Sequence, residues 1–276
     1  MPNLNLIDGD NVIYHYLNEL LISNDTQENR YLIRNMIVNL SIWLPPDLYS
    51  RLPILLPYVV RDPSCRKAVN KKTEEWGSCN SGGYFRDDNT LIKAIPRTFR
   101  IRSKNKSYAK KKMSKGFVAS HIWRKLNHRN ELSSRYPLTN TFVPNLVWLP
   151  RQLSKLTDRE GSFAQKYIQA LSIHIFKNIK IEEKRKSTIE KIWDLLPEPN
   201  IETGQINLSN LNVFSIQDQD ISKMTNKVLN NIELIKESQP SRKLYCSRYF
   251  MTYSKLPEKV KTNFTNNLDE YAKIIR

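Results

Sequence analysis

The sequence predicts an α+β protein, mostly helical, with a strand-bearing stretch near its middle. Apolar residues recur at three- and four-residue steps through several long segments, as a helix with one buried face requires. Between residues 99 and 123 that rhythm gives way to short alternating or β-rich runs. Paired prolines and a Gly-containing polar stretch separate the segments. With 276 residues and 39% hydrophobic content, the chain has material for one large core, which excludes a disordered polyelectrolyte. No apolar run approaches the ~18 residues of a membrane span. The longest, 33–44 and 52–60, are interrupted by Arg34, Asn35, Asn39, Pro53 and Pro57.

Each element follows from local pattern. Residues 4–44 are predicted helical from Leu17, Leu20, Leu21, Tyr31, Ile33, Ile37 and Leu40, and Pro45-Pro46 ends the segment because two prolines cannot continue it. Pro53 and Pro57 keep the next stretch extended or turning. Residues 62–90, with Gly77, Gly82 and Gly83, read as a loop-rich connection, and 91–95 as a short helix or strand stopped by Pro96. Phe99-Arg100-Ile101-Arg102 alternates as a strand with one basic face. Residues 116–123 form a short β-run carrying His121, followed by a polar loop of about twenty residues. Residues 142–158 read as an extended lead into a helix, with apolar positions 146, 149, 153 and 156 at helical spacing and Pro150 in the first turn. Residues 163–176 and 181–196 are helical, 200–215 polar without period, and 218–238 and 256–275 amphipathic helices. Three segments result, 1–60, 61–160 and 161–276, either separate or one continuous domain.

Charge carries the first functional signal. Lys and Arg number 44 against 27 Asp and Glu, a net +17. From residue 89 to 130 there are thirteen Lys/Arg and no acid, and extension to 157 brings the window to +15. So local an excess is the footprint of a polyanion partner, because neutralised phosphates release condensed counterions. Arg100, Arg102, Lys104, Lys110, Lys111, Lys112, Arg124, Lys125 and His128 are the candidate nucleic-acid contacts. Cys65, Cys79 and Cys246 are an odd, widely spaced set, so neither a disulfide framework nor a structural zinc site is expected. Residues 1–10 lack a secretory pattern, and the expectation is a cytoplasmic, nucleoid-associated protein without membrane contact.

Within the basic region, His121 stands in Ser-His-Ile-Trp and Asn145 in Asn-Leu-Val-Trp-Leu twenty-four residues later, with Ser154 nine positions further on. Residues 117–158 resemble the ββα-metal, or HNH, nuclease family, in which a strand-end histidine, an asparagine and a helix-borne ligand share one finger. The resemblance implies helical domains around such a finger and metal-dependent hydrolysis of DNA phosphodiesters, plausibly sequence-specific in the restriction manner by a homodimer. It implies His121 as general base, Asn145 as its positioning partner, and a Mg²⁺ or Mn²⁺ held by Asp158, with Ser154, Asp87 and Asp88 as further ligand candidates. The chemistry is coherent, since an imidazole activates water near neutral pH and a cation neutralises charge on the phosphate. The chain departs from the family at Ser120, before the histidine, where many members carry a ligand, and at Ser154, where the closing His or Asn belongs.

Other readings stand beside it. A non-catalytic DNA-binding protein on a degenerate finger fits the two serines. Glu182-Glu183-Lys184 contains the Glu-x-Lys tail of the PD-(D/E)xK signature, and Asp8-Gly9-Asp10 resembles the start of NYN/PIN-type ribonucleases, which would direct the chain to RNA. Asp8 to Asn11 otherwise reads as a turn and helix cap. Trp123 and Trp148 are expected in the core, as are His15 and His174 from their helical apolar surroundings.

Overall fold

The computed structural model describes residues 9–19, 25–62, 85–201, 207–236 and 258–276. In chain order the first half forms α1 (Gly9–Asn18), α2 (Gln27–Leu40), β1 (Ile42–Trp43), α3 (Pro46–Arg51), β2 (Val59–Arg61), β3 (Phe85–Asp87), α4 (Thr90–Ala94), β4 (Arg100–Arg102) and β5 (Phe117–His121). There follow β6 (Lys125–Leu126), β7 (Arg129–Leu132), α5 (Pro137–Asn140), β8 (Leu146–Pro150), α6 (Arg151–Thr157), α7 (Phe163–Phe176), α8 (Glu183–Asp194), β9 (Asn212–Ser215), α9 (Asp218–Lys236) and α10 (Glu258–Ile275). The architecture is mixed α+β. No helix among the described residues is long and apolar enough to cross a membrane.

A five-stranded sheet organises the molecule in the order β4-β9-β1-β8-β5. β1 and β9 run parallel, and the other neighbours are antiparallel. Strands from all three segments marked off by the sequence join in this one sheet. Trp43, Trp148, Phe142, Phe176 and Phe214 are fully buried around it, with Trp148 edge-on to Phe214 and Tyr49 edge-on to both Phe142 and Phe176. Such aromatic contacts add to the area the rings bury. β5 and β8 pair along their whole length, from Phe117 opposite Pro150 to His121 opposite Leu146. β8 passes directly into α6, which packs back on both strands.

Local chemistry explains the element ends. Thr26 caps α2, its Oγ1 accepting from Asn29 N at 3.2 Å, and Ser162 caps α7 in the same way. Ile33 and Ile37, one turn apart, turn the α2 face inward. Asn212 fixes β9, donating from Nδ2 to the carbonyls of Asn39 and Ser41 and accepting from Ser103 Oγ.

Several expectations need correction. Within 4–44 the described residues form α1 and α2, residues 20–24 lie outside the description, and α2 ends before β1, where Ile42 and Trp43 are strand. Residues 146–150 are strand rather than helix: Leu-Val-Trp-Leu is buried on both faces, and an apolar run of that kind fits either period. Pro150 then caps α6 instead of lying inside it. The expected polar loop after His121 contains the β6–β7 hairpin and α5. The stretch 200–215 supplies β9. Trp123 and Trp148 are buried as expected, but His15 and His174 face solvent. Asp8, Cys65, Cys79 and Cys246 lie outside the described residues.

Candidate functional site

One cavity of about 710 Å³ gathers much of the predicted chemistry. Its wall includes Ser120 and His121 from β5, Ser154 and Thr157 from α6, and Asp158 just past that helix. Arg61 and Asp88, at the ends of β2 and β3, close one side, and Arg124 another. Lys93 and Arg97 enter from α4 and the turn after it. The cavity is thus ringed by four cationic side chains.

His121 is held by an asparagine, and it is not Asn145. Its Nε2 lies 2.9 Å from the backbone oxygen of Asn140 and 2.9 Å from Asn140 Oδ1. Asn140 Nδ2 donates to Val59 O at 2.7 Å, so the oxygen of that amide faces the ring. Both neighbours of Nε2 are acceptors, so Nε2 carries the proton and Nδ1 the lone pair. Nδ1 is buried and has no hydrogen-bond partner among the described residues. Burial, together with the Arg61 charge, pushes the imidazole down to about 4, against partial compensation from the Asn140 bonds, so the ring is neutral at pH 7.

Asn145 has a structural task instead. It is wholly buried; its Oδ1 accepts from Trp123 N at 2.9 Å and its Nδ2 donates to Thr139 O at 2.8 Å. The expected positioning partner therefore braces the turn after β5, and Asn140, five residues earlier, positions the imidazole.

The expected ligand set also separates. Asp87 accepts from Leu91 N through Oδ2 and so fastens the start of α4. Asp88 is buried and accepts from Arg61 Nε at 3.4 Å. Ser154 is buried, and its hydroxyl donates to Arg151 O within its own helix. Asp158 remains, at the C-terminal end of α6. It is exposed on the cavity wall, yet enough protein surrounds it that burial raises its carboxyl above the usual range, while Arg61 and Arg124 draw it partly back. Among the described residues no three His, Cys, Asp or Glu side chains come together. A divalent ion of this class takes several oxygen donors. With Asp88 paired to Arg61, Ser154 bonded within its own helix, Asp158 the remaining acid and four cations around the wall, the expected ligands do not fit a resident Mg²⁺ or Mn²⁺.

The predicted nucleic-acid contacts divide between two places. Arg124 lines the cavity. Lys125 and His128 are exposed on the β6–β7 hairpin, with His128 in the left-handed region at φ 57°. Arg100, Arg102, Lys104, Lys110, Lys111 and Lys112 lie at β4, the opposite edge of the sheet from β5. There, Ile101 N donates to Lys111 O and Lys110 N to Ile101 O, so the lysine run covers the outer edge of β4. Charged cover of that kind also guards an open edge against pairing with other chains. Arg100 Nη1 donates to Lys110 O, and Lys104 Nζ to Ser209 Oγ and Asn210 Oδ1, so both spend donors on their own chain.

Sequence reasoning missed Arg61, Lys93, Arg97 and Asn140. Lys93 and Arg97 fall inside the acid-free window; nothing local marks Arg61, which follows a proline-rich apolar stretch and precedes Asp62. Glu182 and Lys184 do not line the cavity and pair with each other on the surface. No family model matches the chain, and neither does any curated protein or solved structure.

Proposed function

We propose that the chain is a nucleic-acid phosphodiesterase, an endonuclease acting on double-stranded DNA, with β5, β8 and α6 as its ββα element and His121 as its general base. One observation carries this reading: a neutral imidazole, its tautomer set by Asn140, lies in a cavity ringed by Arg61, Lys93, Arg97 and Arg124. A base for water must hold its lone pair at working pH, and a site for phosphate must supply positive charge. In the proposed step the Nδ1 lone pair takes a proton from water as the water oxygen attacks phosphorus; the bond from phosphorus to the leaving sugar oxygen breaks, that oxygen takes a proton from solvent water, and the imidazolium returns its proton to solvent. The surrounding cations offset the charge that builds on the phosphate oxygens. Nδ1 is buried in this conformation, so the wall beside the ring opens to admit the water.

The test is plasmid cleavage with Mg²⁺, Mn²⁺ or EDTA, by the wild-type chain and by His121→Ala. Nicking that disappears in His121→Ala supports the reading. The second reading, a non-catalytic DNA-binding protein, is favoured by the absence of an assembled cluster of acidic ligands among the described residues. Salt-sensitive binding without cleavage under any of the three conditions would establish it. Sequence-specific, restriction-type cutting of both strands by a homodimer is the extension of the first reading. It calls for discrete fragments from a defined plasmid and a dimer in solution.

A further inference from the structure

We propose that Arg61, oriented by Asp88, receives the backbone phosphate in this cavity and supplies the charge neutralisation for which a resident divalent ion would otherwise be needed. The inference rests on the phosphodiester reading of the site and specifies how the phosphate is held.

The orientation of Arg61 is the first support. Its Nε is directed to the buried carboxylate of Asp88, the only hydrogen bond Arg61 makes among the described residues, which leaves both Nη groups for a ligand. Two Nη groups form the planar fork that matches two oxygens of a phosphate. The side chain is 40% exposed while its Asp88 partner is 5% exposed, so the carboxylate is buried behind a guanidinium that reaches the opening. Lys93, Arg97 and Arg124 line the same cavity but form no ion pair with a described residue that would fix their heads. They add field, whereas Arg61 has a direction.

Its place relative to the imidazole is the second support. The buried amide of Asn140 bonds Val59 O with Nδ2 and faces His121 Nε2 with Oδ1. Val59 and Arg61 are two residues apart on β2 and share a face of that strand. One side chain thus ties the strand that carries the guanidinium to the ring that carries the lone pair. The third support is the donor set: Asp88, a predicted metal ligand, already faces a fixed cation, and a second cation placed on that carboxylate would meet Arg61.

The test measures binding of inorganic phosphate and of a short DNA duplex to the full chain in EDTA, by calorimetry and fluorescence anisotropy. The variants are Arg61→Ala, Arg61→Lys, Asp88→Asn and, as a control outside the cavity lining, Arg135→Ala. Wild-type chain binds phosphate without metal. Arg61→Ala weakens that binding about tenfold or more, the scale of a charge-assisted hydrogen bond. Arg61→Lys recovers charge without the fork and lies between the two, Asp88→Asn weakens binding less than Arg61→Ala, and Arg135→Ala leaves it unchanged. If Arg61→Ala does not fold, the Arg61→Lys and Asp88→Asn comparison decides alone. Unchanged phosphate affinity in the folded Arg61 variants, or phosphate binding that appears only on adding Mg²⁺ or Mn²⁺, overturns the proposal. Metal-free, Arg61-dependent phosphate binding in a chain that never cuts DNA sinks the nuclease reading and leaves this one standing. Cutting that survives Arg61→Ala, together with intact phosphate binding, does the reverse.

Discussion

The enclosure of His121 makes the stability of the whole chain depend on pH in a defined window. In the unfolded chain the imidazole takes up a proton near 6.5, while in the folded chain it resists until about 4. Below 6.5 the unfolded state therefore binds more protons, and folding stability falls as pH falls, until about 4, where both states are protonated. A difference of that size corresponds to about 3 kcal/mol at most, at 1.36 kcal/mol per pH unit. Asp158 faces the same cavity and acts in the opposite sense, since its raised carboxyl takes up a proton in the folded state first. Asp88 and the cations Arg61, Lys93, Arg97 and Arg124 complete the charged surround. Subtraction of a His121→Gln variant isolates the imidazole. Urea unfolding of both proteins from pH 8 to pH 4 should show the wild type losing about 3 kcal/mol relative to the variant, with the loss confined below pH 6.5. Parallel pH profiles for the two proteins, or an NMR titration that protonates His121 near 6.5, would refute the claim that the ring is enclosed and neutral.

Asn140→Ala removes the amide oxygen at Nε2 and orphans Val59 O in the core; a cost of about 2–4 kcal/mol is expected in chemical denaturation. Because the Asn140 bonds hold the imidazole up, Asn140→Ala should lower its protonation further, whereas Asn140→Asp should raise it; NMR titration of the ring distinguishes the two. Asn145→Ala leaves Trp123 N and Thr139 O without their partner and should cost about 2–5 kcal/mol in the same denaturation assay. Its phosphate affinity, measured in the fraction that folds, should match wild type. Replacing Lys110, Lys111 and Lys112 together by Ala should weaken duplex binding equally across DNA sequences and shallow its salt dependence by roughly 0.9 per lost phosphate contact, leaving inorganic phosphate binding unchanged.

How much of this was legible in the sequence depends on the distance over which each feature is decided. α7, α8, α9 and α10 follow from apolar spacing within a dozen or so residues, and β4 and β5 from alternation and β-propensity over three to five. β8 was misread because a strand buried on both faces shows no alternation, so its Leu146 and Leu149 satisfied a helical template equally well. β1, of two residues, is too short to carry a period, and β9, Asn-Val-Phe-Ser, does not alternate; both exist because the sheet pairs them with each other. The β6–β7 hairpin is largely exposed and polar, so it offers no buried face to read. At the site, His121, Ser154 and Asp158 line one cavity. Asn140 and Arg61 do not stand out, because what makes them matter is contacts across 19 and 81 residues for Asn140 and 27 for Arg61.

The same distinction applies to the basic window, which is continuous in sequence but divided in space. β4 and β5 are the two edges of the sheet, four strand spacings apart, or about 19 Å at 4.8 Å each. The chain between them carries the lysine run back along β4 before it turns into β5, so Lys110 to Lys112 remain at the far edge while Arg124 reaches the cavity. Neighbouring phosphates on one DNA strand advance about 3.4 Å along the helix axis. On the proposed function, a duplex with one phosphate near His121 and its axis across the sheet would face the β4 edge with its complementary strand, because five or six steps carry the first strand about half-way round the helix. On the proposed function, charge at that edge would bear on how tightly and in what orientation a polyanion is held, whereas charge in the cavity would bear on a single phosphate. The basic window therefore divides into two surfaces, and the variants above separate their consequences.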